Sequence, residues 1–529
     1  MRKVSRLTLL LLLLGSITLY WQDPLYKLGR NIEIFGRVLQ ELTLNYVDSP
    51  DLDKLTTRAV DAMLAELDPY TNFYSAAEVT QAQLEQSGQY AGVGLVLLPL
   101  EGKVVCRRIL PGSPAEKAGI QPGDLLVEIA GRPAPQLTLE QIQQLLRGAP
   151  KTTVQVKILH PTTRTTQEIT LTRTELEMEA VPYAAVLPGQ VGYIVLTQFS
   201  RDCAQALRQR LIQLKSQTPL KGLIIDLRGN PGGLMNEALD ILNFFLPKGE
   251  LLLETRGRMP ETNQKYYAQM HPFEPTLPIV VLIDERSASA SEIVAGTLQD
   301  LDRAVVMGRR SFGKGLVQVV RPLVENTQMK ITVSRYYTPS GRCIQLTQPG
   351  GAPRTFRTRN GRLVREGSGI TPDIEYPAAL PIEVTERVEP YFFYFLAQQR
   401  DKIPRDSVSL TIELPSVNMV EGLIDSLRNY PAAYAQTAEK RLLEIKNEVG
   451  SVPEVKAKVE ETLSAFAEYR LGELRRQREA LRVLVGQLRA YHGRGLTGEY
   501  DFIAARDPLV QEARQVLLDP MRYEKVLRP

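Results

Sequence analysis

The sequence predicts a multi-domain α/β protein with N-terminal helices, a small β-domain, a layered β/α core and a helical C-terminal region. Its 529 residues suffice for about three to four domains at the usual ~150 residues each. With 43% hydrophobic and 23% charged residues, the composition is that of a globular protein with a sizeable core. The apolar pattern also changes along the chain, from helical spacing to short strands, then to alternating strands and helices, and back to helical spacing.

Composition excludes several classes of function. A formal net charge of +4 gives no reason to propose a nucleic-acid partner, and the Arg-rich stretch 470–489 is typical of a solvated helix face. The three cysteines, Cys106, Cys203 and Cys343, are far apart and form no CxxC pair, which argues against a disulfide framework and a zinc site. We expect buried thiols and no metal or organic cofactor.

The first 22 residues have the pattern of an export segment. Arg2, Lys3 and Arg6 precede an apolar run from Leu7 to Trp21, which is typical of a secretory signal or an uncleaved anchor. The run is short for a span of about 20 residues, but no Ala-x-Ala site follows it, so we favour an anchor. The basic residues should stay cytoplasmic, which places the remaining chain on the periplasmic face.

Two helices and then short strands follow the leader. Apolar spacing predicts an amphipathic helix over 26–47 and a second helix over 54–67. From 89 to 174 the chain changes to short apolar runs separated by turn residues. Three segments, Gly92-Val93-Gly94-Leu95, Ser113-Pro114-Ala115 and Gly123-Asp124-Leu125-Leu126, follow one another in an order that resembles a PDZ domain. The resemblance implies that Gly92, Val93, Gly94 and Leu95 receive a peptide's terminal carboxylate. A structural β-domain with a blocked groove is the alternative.

Strands and helices alternate from about 180 to 375. Strands are predicted at 191–196, 222–227, 279–283 and 304–307, and helices at 202–215, 233–245 and 290–300. Such alternation is typical of a layered sheet covered by helices. Beyond 380 the chain is mostly helical, with a leucine stripe from Leu463 to Leu488. The stripe is consistent with intramolecular core or with a self-association helix.

Three segments of this core have the residue types of an acyl-transfer site. Ser287, Ser289 and Ser291 follow a buried strand where a helix starts, so one could be a nucleophile in the positive field of the helix terminus. Helix capping is the alternative for any one of them. The loop Arg228-Gly229-Asn230-Pro231-Gly232-Gly233 could supply oxyanion donors; phosphate binding is disfavoured because the Lys-Ser/Thr pair of a P-loop is absent.

A glycine-flanked lysine completes this set. Lys314 lies between Gly313 and Gly315, and a lysine can act as general base if burial lowers its pKa from about 10.4. A surface lysine is the alternative. The chain has three histidines, and none lies beside these segments. Ser/Lys catalysis therefore fits better than a histidine-based triad.

These motifs together resemble the C-terminal processing peptidases, the S41 family of tail-specific proteases. The resemblance covers roughly residues 30–375 and includes Asp68-Pro69-Tyr70-Thr71, Thr338-Pro339-Ser340-Gly341-Arg342 and Thr371-Pro372-Asp373. It implies a crotonase/ClpP-like peptidase core with an inserted PDZ domain. The roles it implies are nucleophile for Ser289, general base for Lys314, lysine orientation for Gln318, and oxyanion donation for Ala290 and a glycine of the 232–233 pair, Gly232 first. Arg309 departs from the family pattern, which often has an acidic residue there.

We therefore predict an exported serine endopeptidase that cleaves proteins near their C-termini. The expected partners are accessible protein tails, an adaptor or activating peptide at the PDZ domain, the membrane, and a second copy in a homodimer. The predicted boundaries are 1–22 for the leader, 23–86 for the N-terminal helices, 87–175 for the PDZ domain, 176–378 for the peptidase core and 379–529 for the helical region. An inactive PDZ adaptor and a thioester hydrolase are the alternatives.

Overall fold

The structure is a computed structural model that describes residues 24–76, 78–79, 89–345, 352–378, 380–403, 412–449 and 452–528. The predicted leader at 1–22 lies outside these residues. Within the described ranges, no helix combines the length and apolar character needed to cross a membrane. The chain divides into two compact units, one from the described residues of 1–80 and 318–332, the other from those of 81–317 and 333–529.

The first unit contains two helices and a short strand. Its helices are α1 (Pro24–Asn45) and α2 (Leu52–Ala65), and strand β1 (Asn72–Tyr74) follows. Asp51 begins α2 by accepting a hydrogen bond from the Lys54 N–H at 3.0 Å. β1 pairs antiparallel with residues 328–330 of a later strand. The two predicted N-terminal helices are therefore present, each shifted by about two residues.

The PDZ-like segment folds into its own small sheet. The strands are β2 (Gln89–Gly92), β3 (Leu95–Leu100), β4 (Lys103–Ile109), β5 (Leu125–Ile129), β6 (Arg132–Pro133), β7 (Thr153–Leu159), β8 (Thr166–Thr172) and β9 (Thr174–Glu177), with helices α3 (Pro114–Lys117) and α4 (Leu139–Leu146). The sheet order is β3-β4-β5-β7-β8, β6 pairs with β5, and β2 pairs with β9. Thr138 and Gln141 form a capping box that fixes the start of α4.

A six-stranded sheet carries the motifs that the sequence predicts to be catalytic. Its order is β10 (Tyr183–Leu187), β11 (Val191–Val195), β12 (Gly222–Asp226), β15 (Ile279–Ile283), β16 (Val305–Gly308) and β21 (Ile374–Glu375). All neighbours are parallel except β10 and β11. Helices α5 (Cys203–Gln217), α6 (Met235–Asn243) and α7 (Ala290–Asp300) contribute to one buried core on this sheet. Because β12 and β15 are parallel neighbours, the loops at their carboxyl ends lie side by side.

Further strands flank this core. They are β13 (Leu251–Gly257), β14 (Gln264–Tyr267), β17 (Leu316–Pro322), β18 (Gln328–Tyr337), β19 (Thr355–Arg357) and β20 (Leu363–Arg365). In the second unit, β13 pairs with β14 and with residues 334–337 of β18. β19 and β20 form a separate hairpin.

The C-terminal region is helical, as predicted. Its helices are α8 (Ile382–Ala397), α9 (Val417–Ser426), α10 (Thr437–Glu448), α11 (Pro453–Arg476), α12 (Arg478–Arg506), α13 (Pro508–Leu518) and α14 (Pro520–Leu527). α8, α9, α11 and α12 share a core with Leu100, Val105 and Leu125 of the PDZ-like sheet. α13 and α14 instead pack beneath the six-stranded sheet. This region therefore contacts both β-domains.

The leucine stripe of the C-terminal region is intramolecular core. Leu471, Leu474, Leu481 and Leu488 are all buried within this chain. These four side chains are covered by the chain's own helices, whereas Leu463, Phe466 and Leu484 are only half-buried. Self-association through this stripe and a homodimer both stay predictions.

Candidate active site

The turn between β15 and α7 carries the three candidate serines. Ser287 and Ser291 are fully buried, and their hydroxyls donate to the carbonyls of Leu227 and Asn230 at 2.8 and 3.0 Å. Both therefore have structural hydrogen bonds that tie this turn to the neighbouring loop. Ser289 differs because it is only half-buried. Burial thus separates the three residues that the chemistry of the sequence left equivalent.

Ser289 also has an unusual backbone. It precedes α7 with φ 56° and ψ −112°, a conformation that non-glycine residues rarely adopt. Such strain persists only where the surroundings hold it, and it concentrates at functional sites. Ala290, the first residue of α7, lies where helix N–H groups have no intrahelical acceptor. The turn therefore places a serine and a helix N-terminus together.

A buried carboxylate joins the serine segment to the lysine segment. Glu292 is fully buried, and its Oε2 accepts hydrogen bonds from the N–H groups of Ser289 at 2.8 Å and Lys314 at 2.9 Å. Its Oε1 accepts from the Gly313 N–H at 2.7 Å and the Ser311 hydroxyl at 2.5 Å. Burial raises the pKa of Glu292 above its ordinary value, although these four donors oppose the shift. One side chain thus fixes both segments at once.

Tyr336 makes a second connection between the same segments. Its side chain is buried, and its hydroxyl donates to the carbonyls of Ser289, at 3.3 Å, and Lys314. The sequence alone predicts no role for Glu292 or Tyr336. The one available signal was the Ser-x-x-Glu spacing of Ser289 and Glu292, which matches a capping box. Nothing in the sequence indicated that this carboxylate also binds residues 311–314.

The glycine-rich loop after β12 lies against the serine turn. Gly229 donates its N–H to Asp284 Oδ1 at 2.9 Å, and the same oxygen accepts from the Ser287 N–H at 3.1 Å. A Cβ on Gly232 would lie 2.8 Å from Ser289 Cβ and 2.9 Å from the Ala290 nitrogen. With φ +99° as well, position 232 requires glycine. The loop and the turn are thus in direct contact.

The oxyanion role expected of the Gly232 N–H stays a prediction, and the structure gives this group another partner. This group donates to Asn230 Oδ1 at 2.8 Å, so it is already paired in the structure. Gly232 is also buried, whereas Gly233 is exposed. The Asn230 amide in turn donates to the Leu196 carbonyl at 2.8 Å, which fixes its orientation. In this arrangement Gly233, the other member of the expected pair, is the more accessible glycine.

The remaining catalytic candidates have different environments. Lys314 is half-buried and held through its backbone N–H by Glu292. Gln318 belongs to the first unit, where its amide donates to Thr332 Oγ1 at 3.2 Å; its action on Lys314 stays a prediction. Arg309 forms a two-bond ion pair with Glu285, at 2.5 and 2.8 Å, so its charge is locally compensated.

The predicted peptide-binding loop of the PDZ-like sheet is well defined. The carbonyls of Val93 and Gly94 accept hydrogen bonds from the N–H groups of Ala115 and Leu110 at 3.0 and 2.9 Å. Gly94 has φ +84°, and a Cβ there would lie 2.2 Å from Ser113 Cβ, so glycine is required. Leu95 begins β3, which pairs on one side with β4. Gly92 ends β2.

Comparison with known proteins assigns the family. Peptidase family S41 matches residues 190–376, and a PDZ domain matches residues 105–159. The carboxy-terminal-processing protease of Bartonella bacilliformis is 33% identical over 375 residues, which cover 70% of this chain and 80% of that protein. The chain belongs to peptidase family S41. It is a C-terminal processing serine peptidase with a PDZ domain, as the sequence predicted.

Two further relatives are similar to this S41 peptidase. The carboxyl-terminal-processing protease of Synechocystis is 37% identical over 292 residues, covering 54% of this chain and 67% of that protein. The structure of a photosystem II D1 C-terminal processing protease is 29% identical, covering 65% of this chain and 87% of that one, with a TM-score of 0.39.

Proposed function

We propose that this S41 peptidase is an exported endopeptidase that cleaves proteins near their C-termini with a Ser289/Lys314 dyad. The observation that carries the proposal is the Glu292 carboxylate, which binds the backbone of both Ser289 and Lys314. The partial exposure of Ser289, against the full burial of Ser287 and Ser291, supports its choice as nucleophile.

The proposed reaction has two steps. The Ser289 hydroxyl attacks the scissile carbonyl while the Lys314 amine takes its proton, and the protonated lysine then gives that proton to the leaving amine. Water hydrolyses the acyl-enzyme with the same base. The oxyanion is stabilised by the Ala290 N–H and a glycine N–H of the 232–233 pair; Gly232 can serve only when its bond to Asn230 Oδ1 opens. Gln318 orients the amine.

We also propose that the core has crotonase/ClpP-like layering with the PDZ domain inserted into it. The parallel sheet with α5, α6 and α7 packed on it supports the layering. The insertion is supported by the first unit, whose two segments, up to residue 79 and 318–332, precede and follow the PDZ domain in sequence.

The PDZ domain is proposed to bind the terminal carboxylate of a substrate or an activating adaptor peptide through residues Gly92 to Leu95. The glycine required at position 94 supports a loop of fixed geometry there. The basic residues and apolar run of the leader support export to the periplasmic face with a membrane anchor. Homodimer formation is retained as a proposal without an assigned surface.

The experiment compares wild type with Ser289→Ala and Lys314→Ala, using an unstructured substrate with an apolar C-terminal tail. Ser464→Ala, on an exposed face of α11, is the matched control. We expect loss of cleavage in both site variants with unchanged circular dichroism and Tm, and labelling of Ser289 by a fluorophosphonate. A C-terminally amidated substrate should be cleaved more slowly, because the PDZ loop would lose its carboxylate.

Three outcomes would contradict the proposal. Normal turnover by Ser289→Ala or Lys314→Ala would refute the assignment of these two residues as a catalytic dyad. A wild type that binds tails without cleaving them would favour the PDZ adaptor. Labelling of Ser289 by a thioester probe but not by a peptide-based probe would favour a thioester hydrolase.

A further inference from the structure

The C-terminal helical region contacts the residue that starts the glycine-rich loop. Arg228 lies two residues after the end of β12 and precedes Gly229. Its guanidinium is held from two sides. Asp226 accepts from Nε at 2.9 Å and from Nη2 at 2.6 Å, and Asp507, between α12 and α13, accepts from Nη1 at 2.9 Å. Asp226 is itself fixed by the Tyr193 hydroxyl at 2.8 Å.

The two oxygens of Asp507 have separate tasks. Oδ1 accepts from the N–H groups of Leu509 and Val510 at 2.9 and 3.0 Å and so caps α13. Oδ2 accepts from Arg228. Capping therefore needs only one oxygen, and the second bond is an additional interaction of a partly buried ion pair.

The ion pair between Arg228 and Asp507 lies at the edge of a cavity. A cavity of about 420 Å³ borders Arg228, Gly229 and Asp507. Asp226 alone would still bind the guanidinium, but it is only two residues away on the same strand end. Asp507 is the acidic partner that ties this strand end to another region of the chain.

Movement of Arg228 would displace the serine turn between β15 and α7. Gly229, the next residue, donates to Asp284 Oδ1, which also accepts from the Ser287 N–H. Gly232, at the end of the same loop, packs against Ser289 and Ala290. A displacement on the order of 1 Å in such a site can cost about a hundredfold in rate.

We propose that Asp507 is a positioning residue of the peptidase site. By holding Arg228, it lets the C-terminal helical region set the geometry of the glycine-rich loop at 228–233. The inference rests on the Ser289/Lys314 function proposed above. Since oxyanion donors act mainly in the transition state, misplacing them should lower kcat with little change in KM.

The test uses two substitutions at position 507 that keep the helix cap. Asp507→Ser can cap α13 but is too short to reach Arg228. Asp507→Asn keeps the size of the side chain, but while its one oxygen caps α13 its NH2 group faces the guanidinium and cannot accept from it. Asp519→Ser is the matched control, because Asp519 caps α14 through the Arg522 N–H and has no contact with Arg228. Each variant is assayed for kcat, KM, Tm and the rate at which a fluorophosphonate labels Ser289.

We expect kcat to fall by about tenfold to a hundredfold in both Asp507→Ser and Asp507→Asn, because neither side chain accepts from Arg228 while it caps α13. Labelling of Ser289 should slow in parallel, while Asp519→Ser retains wild-type kcat. Wild-type kcat in Asp507→Ser, or an equal loss in Asp519→Ser, would overturn the inference. If Asp507→Ser does not fold, Asp507→Asn decides, and its unchanged kcat would overturn it.

Failure of the underlying function gives a different result. If the wild type shows no Ser289-dependent cleavage, the dyad proposal is refuted, and the positioning role of Asp507 is refuted as well. Normal wild-type labelling of Ser289, combined with wild-type kcat in Asp507→Ser, refutes only the role of Asp507.

Discussion

Replacing Glu292 by Gln tests the central feature of this site. Each carboxylate oxygen accepts two hydrogen bonds. A glutamine must put its NH2 group in place of one oxygen. The better choice is Oε1, because the Ser311 oxygen, which already accepts from the Ile370 N–H at 2.6 Å, can also accept from the new NH2 group. The Gly313 N–H and the Ser311 O–H then both lose Oε1 as their acceptor. An orphaned buried donor costs about 1–3 kcal/mol.

This cost should appear in catalysis because it falls on the lysine segment. If the 1–3 kcal/mol is expressed in the transition state, kcat/KM should fall by about 5- to 150-fold, since each 1.36 kcal/mol is tenfold. The assay measures kcat/KM on an unstructured, apolar-tailed substrate, with Tm for each variant. Glu237→Gln is the matched control, because Glu237 also accepts from two backbone N–H groups, those of Asp202 and Ala204 at 2.8 and 2.9 Å, which belong to neither the serine nor the lysine segment.

Two results would refute the reasoning. Glu292→Gln could retain kcat/KM within about twofold of wild type, which would mean that residues 313–314 keep their position without the carboxylate. Alternatively, Glu237→Gln could lose as much activity as Glu292→Gln, so that the loss reflects general weakening of the core. A loss of kcat/KM in Glu292→Gln alone, with comparable Tm in the two variants, supports the role of the Glu292 carboxylate in holding the serine and lysine segments.

Two further predictions follow from the geometry. Gly232→Ala should abolish cleavage, because its Cβ would lie 2.6 Å from the Ala288 carbonyl oxygen, whereas Gly229→Ala meets open space and should lose only about 1 kcal/mol of stability; equal activity of the two variants would contradict this. Burial, aided by the positive charges of Arg107 and Arg400, lowers the pKa of His492 from its ordinary 6.5 to about 3. Below about pH 6.5 His492 is therefore protonated in the unfolded chain but neutral in the folded chain. The free energy of unfolding should then decrease as the pH falls, and for wild type this decrease should be steeper than for His492→Asn by about 1.4 kcal/mol per pH unit. Chemical denaturation between pH 6 and 4 measures this difference, and parallel profiles would contradict it.

Much of the core was predictable because its apolar runs are long and unambiguous. The strand at 279–283 and the helix at 290–300 have the bounds that the sequence predicted. Parallel pairing of β12 and β15 then brings the Arg228–Gly233 loop beside the serine turn, as alternation of strands and helices implies. Local pattern therefore sufficed for the scaffold of the site.

The details of the site depend on contacts between distant segments. Ser287, Ser289 and Ser291 have the same residue type and similar neighbours, and only tertiary packing buries the first and last. The Ser289/Glu292 spacing alone predicts that Glu292 caps a helix. Its hydrogen bonds to Ser311, Gly313 and Lys314 arise only in the tertiary fold. For the C-terminal leucines, helical spacing is identical for intramolecular core and for self-association, so the period alone could not decide.

Asn230 binds the Gly232 N–H, which the family resemblance assigns to the oxyanion. Its side chain spans Leu196 and Gly232, and its carbonyl accepts from the Ala288 N–H at 3.0 Å and from the Ser291 hydroxyl. A fully buried asparagine with these four bonds fixes the loop firmly, but it occupies the N–H group that the proposed reaction would take from Gly232. The proposed mechanism therefore needs Gly233 to donate to the oxyanion or the Asn230–Gly232 bond to open. Opening would leave Asn230 Oδ1 buried without a donor, at a cost of about 1–3 kcal/mol, so substrate binding would have to offset that cost before Gly232 could donate.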